Sequence, residues 1–336
     1  MKANLEQIVD FSKIAKTEKE WTLEKLRQIK KDEPDMEFDE ILQKVEDMKG
    51  IEVKDLIKLA EEEKMTPAVN DIKKSLVVVI DAQNDFHEGG SLAVPGARED
   101  TKRTIEFIYK WAHKITNVML SLDTHTVAQI FHSIFWIDKD GNHPDPYTVI
   151  EPEDVAAGKY KPAFHVNVAI DYLKGLKIED KKKLCIWPEH CLQGTRGWLP
   201  EEQLMNMIYF YSIARVSRPI FYLKGQDADS EMYGIFEKEY SKDGVTMNQA
   251  VLKILSMIEK YDVIYFLGQA KSHCVLESMK QFLKRYENRP EITSKVVFVI
   301  DCSSCVPGFE DETQRELDDL VKNYGIKVMK STEIQM

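Results

Sequence analysis

The chain has 336 residues, of which 43% are hydrophobic and 31% are charged, and its formal net charge at pH 7 is -11. This composition excludes a disordered or fibrous protein and fits one large domain, or a domain with a smaller attachment. The acidic balance argues against nucleic acid or a membrane as a partner. No apolar run approaches the ~18 residues of a membrane-spanning helix. The five cysteines, an odd number, fit the reduced cytoplasm better than a disulfide framework.

Residues 1–73 differ in character from the rest of the chain, because they are rich in Lys and Glu and carry apolar residues at helical spacing. The pattern predicts several short helices, with breaks near Glu33 and Pro34 and near Lys49 and Gly50. We expect a helical extension that acts as a stabilising cap or as a dimer contact. The apolar positions are Leu5, Ile8, Phe11, Ile14, Leu42, Val45, Met48, Leu56, Ile57 and Leu59.

From residue 74 onward, short apolar runs alternate with amphipathic helices. Strands are predicted at 76–80, 118–122, 220–223, 263–267 and 296–300, with an edge strand at 326–329. Helices are predicted at 98–115, 247–260, 273–286 and 311–323. This alternation indicates βαβ units, and therefore a three-layer α/β/α domain with a mostly parallel sheet. The segment from about 124 to 186 is predicted to be long and mostly irregular, which is typical of a functional loop or an insertion.

Polar side chains follow the predicted strands. Asp81 follows the first strand, Asp123 and His125 follow the second, and Lys224 follows the third. The fourth strand leads through a short turn to Cys274, and Asp301 follows the fifth strand. Ligands bind beyond the carboxyl ends of the strands in open α/β sheets, so this edge is the predicted site.

Cys274 is a candidate nucleophile because it stands near the start of a predicted helix. The positive potential of a helix amino terminus favours the thiolate and lowers the pKa of a thiol. A carboxylate that accepts the proton and a lysine that holds the charge would complete an activated nucleophile, and Asp81 and Lys224 are the candidates. Taken singly, Cys274 could be a buried structural cysteine, Asp81 a cap and Lys224 a solvated strand end.

Asp123 and His125 place a carboxylate and an imidazole beyond one strand end, with His132 and His190 downstream. Such ligands suit Zn, Fe or Mn, although Asp-x-His alone is a weak signal. The Cys302-x-x-Cys305 pair has no second pair at zinc-finger spacing, so it is interpreted as a loop.

Five segments resemble, in the same order, those of the nicotinamidase/isochorismatase-like cysteine hydrolases, and together they span about residues 74–336. Residues 75–97 (SLVVVIDAQNDFHEGGSLAVPGA) resemble the opening strand and loop of nicotinamidases. SLDTH (121–125) is similar to their metal-binding strand end, and IWPEHCLQGTRG (186–197) to their Trp-Pro-x-His-Cys segment. FYLKG (221–225) resembles the lysine strand, and GQAKSHCV (268–275) resembles the nucleophile loop.

The resemblance implies an isochorismatase-like fold and an amidase with an Asp-Lys-Cys triad. Cys274 would attack the amide carbonyl, Asp81 would take its proton, and Lys224 would stabilise the charged pair. The backbone N–H groups of Ala270 and Cys274 would form the oxyanion hole. The resemblance further implies a cis peptide bond after Ala270.

The resemblance also implies a divalent metal, zinc in the first place with iron or manganese as alternatives, which would hold the pyridine nitrogen of the substrate. The implied metal ligands are Asp123, His125 and His190, with His132 as a candidate fourth. Phe86 and Trp187 would enclose the substrate ring, with Tyr233 beside them. Ordinary core packing is the alternative interpretation of these three aromatic residues.

The predicted function is the hydrolysis of nicotinamide, a small amide, to nicotinate and ammonia in NAD recycling. We expect a cytoplasmic protein that forms a homo-oligomer. Cys274 favours a C–N substrate over the vinyl ether that the isochorismatase branch cleaves. Three features depart from the family pattern: Lys271 stands in place of the usual Thr, an insertion spans about 133–183, and residues 1–73 are additional. The alternatives are another small amide, carbamoyl or ureido substrate, and a binding or regulatory module that uses the helical extension.

Overall fold

The computed structural model describes residues 1–14, 27–28, 31–32, 36 and 51–336. The predicted helix breaks near Pro34 and Gly50, and the apolar positions Leu42, Val45 and Met48, lie outside the described residues. Within the described residues, no helix is long and apolar enough to cross a membrane.

The centre of the fold is a six-stranded parallel sheet with the strand order β10-β9-β8-β1-β2-β7. The strands of the described residues are β1 (Ser75–Ile80), β2 (Asn117–Asp123), β3 (Trp136–Asp138), β4 (Val149–Ile150), β5 (Tyr160–Pro162), β6 (Leu184–Cys185), β7 (Ile220–Lys224), β8 (Val263–Gly268), β9 (Val296–Val299) and β10 (Lys327–Met329). All six predicted strands are present in the sheet, which confirms the predicted α/β class.

Helices cover both faces of the sheet. The described residues contain the helices α1 (Leu5–Ile8), α2 (Phe11–Ile14), α3 (Val53–Glu63), α4 (Ala97–Trp111), α5 (Pro152–Ala156), α6 (Val166–Ile178), α7 (Glu202–Ala214), α8 (Gln249–Ile258), α9 (Leu276–Arg285), α10 (Pro290–Thr293) and α11 (Glu310–Tyr324), of which α5 and α6 belong to the insertion. Val77 and Val79 of β1 pack with α4 and α7, whereas Val78 and Ile80 pack with α8, α9 and α11. Because successive side chains of a strand point to opposite faces, a strand buried on both faces is a continuous apolar run, as β1 is from Leu76 to Ile80.

The extension contributes to the core on one of these faces. Ile8, Ile14 and Leu56 belong to the same buried cluster as the residues of α4 and α7. Just beyond α7, the buried guanidinium of Arg215 donates to both carboxylate oxygens of Asp71 at 2.6 Å. The domain boundary that the sequence predicts at residue 73 stays a prediction, but the described residues before it pack directly on the domain.

The insertion at 133–183 is more ordered than the sequence indicates. It contains α5 and α6 and the pairing β3–β5, and β4 pairs with β6 at its end. The thirteen-residue helix α6 escapes prediction for two reasons. It exposes Val166 and Val168 while it buries Leu173 and Leu176, so its apolar residues form no single stripe. It also contains Gly175, which lowers helix propensity.

Candidate active site

The carboxyl ends of the sheet strands bring the predicted polar residues to one edge. In the parallel register, Asp123 is paired with Lys224, and Ile80 is paired with Gly268. Asp81 follows Ile80 directly, and the turn that carries Cys274 follows Gly268. Three elements distant in sequence therefore deliver their polar groups to the same place.

Lys224 lies between two buried carboxylates. Its Nζ lies 3.1 Å from Asp81 Oδ2 and 3.0 Å from Asp123 Oδ1, and it donates to the Met232 carbonyl at 3.0 Å. The Ser121 hydroxyl donates to Asp81 Oδ1 at 2.6 Å. Burial opposes the lysine charge, but Asp123 and Asp81 together raise the pKa of Lys224 well above its ordinary value. The lysine is therefore a permanent cation shared by two acids.

Cys274 joins this group. Its Sγ and carboxylate oxygens of Asp81 and Asp123 all lie within 4.8 Å of one another. Burial raises the pKa of the Cys274 thiol well above its ordinary value, although Lys224 opposes this effect. The expectation of a lowered thiol pKa is therefore wrong. The cysteine sits in a π-helical turn, Lys271–Val275, ahead of α9, where removal from water outweighs the nearby positive charge.

The turn that leads to Cys274 approaches β1 closely. Gly268 has a φ of 116°, and a Cβ at this position would lie 2.1 Å from the Ile80 carbonyl oxygen, so only glycine fits. The cis peptide bond joins Gln269 and Ala270, one residue earlier than the resemblance implies. Within the described residues, the Ala270 N–H donates to no backbone acceptor. The oxyanion hole at Ala270 and Cys274 stays a prediction.

The predicted metal ligands form a second cluster that shares Asp123 with the first. Ligand atoms of Asp123, His125 and His190 all lie within 4.8 Å of one another. His125 Nε2 lies 3.1 Å from Asp123 Oδ1, and His190 Nε2 lies 3.8 Å from Asp123 Oδ2. The ring centroid of His132 is 5.9 Å from that of His125, so His132 borders this group of three without belonging to it.

The three histidines are oriented as metal ligands are. Backbone carbonyls of Gly225, Val127 and Pro188 hold Nδ1 of His125, His132 and His190 at 3.1, 3.0 and 2.8 Å, respectively. Each Nδ1 therefore carries the proton, which leaves Nε2 with a free electron pair. Among the residues that the structure describes, the Nε2 atoms of His125 and His132 are buried and have no hydrogen-bond partner. Buried polar atoms normally have partners, so this donor set fits a divalent cation.

Charge and space at the cluster agree with this fit. Burial lowers the pKa of His190 to about 3, so its imidazole is neutral, the form that binds metal. Gly225 has a φ of 73°, and a Cβ there would lie 2.5 Å from Asp123 Oδ1. A side chain at residue 225 would displace the carboxylate.

The three predicted substrate-binding aromatics are buried around the two clusters. Phe86 contacts the His190 ring edge-on at 5.7 Å between centroids. Trp187 and Tyr233 contact the His273 ring at 5.8 and 5.6 Å. The structure therefore places Phe86 beside the metal-ligand group and the other two beside the nucleophile turn. Their role in enclosing a substrate stays a prediction.

Two buried residues of the site were not predicted from the sequence. His273 precedes the nucleophile, and burial lowers its pKa to about 3. Its Nδ1 lies 2.9 Å from the Ser272 hydroxyl. Glu231 is a third buried carboxylate near the clusters, and burial raises its pKa above the ordinary value. His273 could have been found from its place beside Cys274, but the irregular segment around Glu231 carries no local signal.

The chain was compared with known proteins. No family model matches it, and no curated protein sequence matches it. Among solved structures, it is similar to a nicotinamidase/pyrazinamidase of Acinetobacter baumanii, with 22% identity, a TM-score of 0.54, and coverage of 78% of this chain and 99% of that one. It is also similar to the yeast nicotinamidase Pnc1p bound to the inhibitor nicotinaldehyde, with 19% identity, a TM-score of 0.53, and coverage of 76% and 99%.

These alignments cover nearly the whole of both nicotinamidases, and the share of this chain that they cover is close to that of residues 74–336. At this level of identity they establish the arrangement of helices and strands. The resemblance seen in the five sequence segments is thereby confirmed at the level of the fold. This chain has the isochorismatase-like hydrolase fold of the nicotinamidases.

Proposed function

We propose that this protein is a cysteine hydrolase of C–N bonds, and that it converts nicotinamide to nicotinate and ammonia in NAD recycling. The observation that carries the proposal is the buried grouping of Asp81, Lys224 and Cys274, which come from three separate strand ends. A nucleophile, a base and a fixed cation in one place are the parts that nucleophilic catalysis needs. The fold shared with two nicotinamidases supports the same reaction class.

In the first half of the reaction, Sγ of Cys274 attacks the amide carbonyl carbon while the Asp81 carboxylate accepts the thiol proton. Because burial raises the pKa of the thiol, the thiol stays neutral until attack, and proton transfer accompanies formation of the C–S bond. Lys224 stabilises the negative charge that develops on sulfur. The carbonyl electron pair moves to oxygen, where the N–H groups of Ala270 and Cys274 stabilise it by ~3 kcal/mol each.

In the second half, the C–N bond breaks and Asp81 gives its proton to the departing nitrogen, which leaves as ammonia. The remaining acyl group is a thioester on Cys274. Asp81 then accepts a proton from water as the water oxygen attacks the thioester carbon. The C–S bond breaks, the thiol regains its proton from Asp81, and the carboxylic acid product leaves.

We propose that Asp123, His125 and His190 hold a divalent cation, with zinc as the first candidate. When bound, the cation supplies a Lewis acid that holds the pyridine nitrogen, so its role is to position the substrate. Phe86 lies against His190 and is suited to pack on the substrate ring beside it.

A second candidate function is hydrolysis of another small amide, carbamoyl or ureido compound. The insertion at 133–183 favours it, since this segment ends just before Trp187 and its helix α6 packs in the same buried cluster as Trp187 and Tyr233. Lys271, in the turn that carries the nucleophile, also departs from the family pattern.

The test is ammonia release by purified protein of known metal content, given nicotinamide and a panel of carbamoyl and ureido compounds. We expect release from nicotinamide that disappears in Cys274→Ala. Cys305→Ala is the matched control, because Cys305 is a half-buried thiol outside the catalytic group. Release from a ureido compound at much higher efficiency would replace the nicotinamide proposal. Release that persists in Cys274→Ala would refute the cysteine mechanism.

A further inference from the structure

Lys182, at the end of the insertion, places its ammonium group beside the turn that carries Cys274. Lys182 lies in the short connection between α6 and β6, and its side chain is one-quarter exposed. Its neighbour Lys183 points elsewhere, pairing with Glu151 at 2.9 Å, and is largely exposed. Two consecutive lysines of the same loop therefore have different surroundings.

The Lys182 ammonium contacts both sides of the nucleophile in sequence. It donates to the carbonyl of Ser272, two residues before Cys274, at 3.4 Å. It also lies 3.3 Å from the carboxylate of Glu277, three residues after Cys274. One group thus joins the turn to the first turn of α9.

The same ammonium also lies beside the ring of Tyr233. It lies 5.9 Å from the centroid of the Tyr233 ring, within the range of a cation–π contact. Tyr233 and the nucleophile turn meet around the His273 ring, which Trp187 also contacts. Lys182 therefore contacts both the turn that carries Cys274 and the aromatic ring of Tyr233.

Loss of this ammonium would not leave the Glu277 carboxylate without a cation. Glu277 also pairs with Lys280 at 3.2 Å, and Lys280 pairs with Glu316 at 2.7 Å. A partly exposed pair that is backed by a second cation contributes little to global stability. The contacts of Lys182 are therefore expected to contribute little to global stability.

We propose that Lys182 is a positioning residue that holds the turn carrying Cys274 beside the ring of Tyr233. Through this lysine, the insertion would set the position from which the Cys274 thiol reacts. This inference rests on the proposed cysteine hydrolase function. Placement of a nucleophile within a fraction of an ångström governs its rate of attack, and a misplacement of about 1 Å costs up to ~100-fold.

The test compares Lys182→Met, which keeps the length and removes the charge, with Lys182→Arg, which keeps the charge. Lys183→Met is the matched control. Two reactions are measured on the full chain: ammonia release from nicotinamide, and alkylation of Cys274 by iodoacetamide, located by peptide mass spectrometry. The alkylation needs no knowledge of the physiological substrate, and the melting temperature of each variant is recorded.

We expect Lys182→Met to slow both reactions about tenfold, with the loss of ammonia release in kcat, and to change the melting temperature by no more than ~2 °C. Lys182→Arg is expected to restore most of the rate, and Lys183→Met to match the wild type. Unchanged or faster alkylation in Lys182→Met, a loss confined to KM, or no rescue by arginine would overturn the inference. If wild-type protein leaves nicotinamide intact, the proposed substrate fails and the alkylation rates alone decide the role of Lys182.

Discussion

Two regions of the molecule bury charged side chains, and they do so differently. In one, Arg215 meets a single carboxylate, that of Asp71, through two hydrogen bonds of 2.6 Å. In the other, Lys224 is shared between Asp81 and Asp123, and a third carboxylate, that of Glu231, is buried close to them. The first region is a balanced pair, whereas the second has more acids than the lysine can satisfy.

The difference separates structural from chemical roles. A buried pair whose two charges balance needs no further ion, and its removal is felt as lost stability. The second region has more carboxylates than cations, and it has imidazole nitrogens without partners. Such a group lowers stability unless a substrate or a cation binds to it. The following predictions test this separation, from the largest expected effect to the smallest.

Lys224→Met is expected to lower kcat/KM for ammonia release by ~10³-fold or more, because the developing charge on Cys274 loses its cation. The change also leaves Asp81 and Asp123 without their shared partner, so some loss of stability accompanies it. Steady-state kinetics on protein that is folded by circular dichroism measures the effect. A folded variant that keeps a tenth of the activity would contradict the assigned role of Lys224.

Arg215→Met is expected to lower the free energy of unfolding by ~3 kcal/mol, because it leaves the Asp71 carboxylate, whose side chain is only 12% exposed, without its cation. Chemical denaturation measures the loss. Below the midpoint of unfolding, kcat for ammonia release should remain at the wild-type level. The double change Arg215→Met with Asp71→Leu is the control, since it removes both charges and should recover part of the stability. A large loss of kcat in folded Arg215→Met would remove the distinction between the two regions.

The ends of the strands, and the residues that follow them, were predictable because they depend on local patterns. The apolar run before Asp81 and the run before Lys224 each mark a strand, and parallel strands deliver their ends to one edge. The order of the strands in the sheet was not predictable, since it depends on contacts between distant segments. The direction of the Cys274 pKa shift was missed for the same reason. Burial by the whole fold decides it, and the local helix does not.

His87 is a buried histidine whose two ring nitrogens both have hydrogen-bond partners, in contrast to His125 and His132 at the metal-ligand group. Its Nδ1 bonds to the Gln83 carbonyl and its Nε2 to the Thr101 hydroxyl, each at 2.7 Å. Burial lowers the pKa of His87 to about 4 from 6.5. As the pH falls from 6.5 to about 4, the unfolded chain takes up a proton at this residue and the folded protein does not.

The stability that neutral His87 provides is therefore fully present above pH 6.5 and is lost as the pH falls to about 4. The loss amounts to ~3 kcal/mol at this one residue. We expect the wild type to lose this much more than His87→Gln when unfolding free energies are measured at pH 7 and pH 4. Equal pH dependence in the two proteins would show that His87 is protonated in the fold.

His132 gives the smallest expected effect and the finest test of the metal site. Its Nε2 is buried without a partner, yet it lies outside the group formed by Asp123, His125 and His190. We expect His190→Ala to weaken zinc binding by more than ~100-fold and His132→Ala to weaken it about tenfold, as outer partners of metal sites do. Titration calorimetry measures both, with His87→Gln as a control that should not change the affinity. Equal losses in His132→Ala and His190→Ala would make His132 a fourth ligand. No loss in either variant would mean that the unpartnered nitrogens await the substrate instead of a cation.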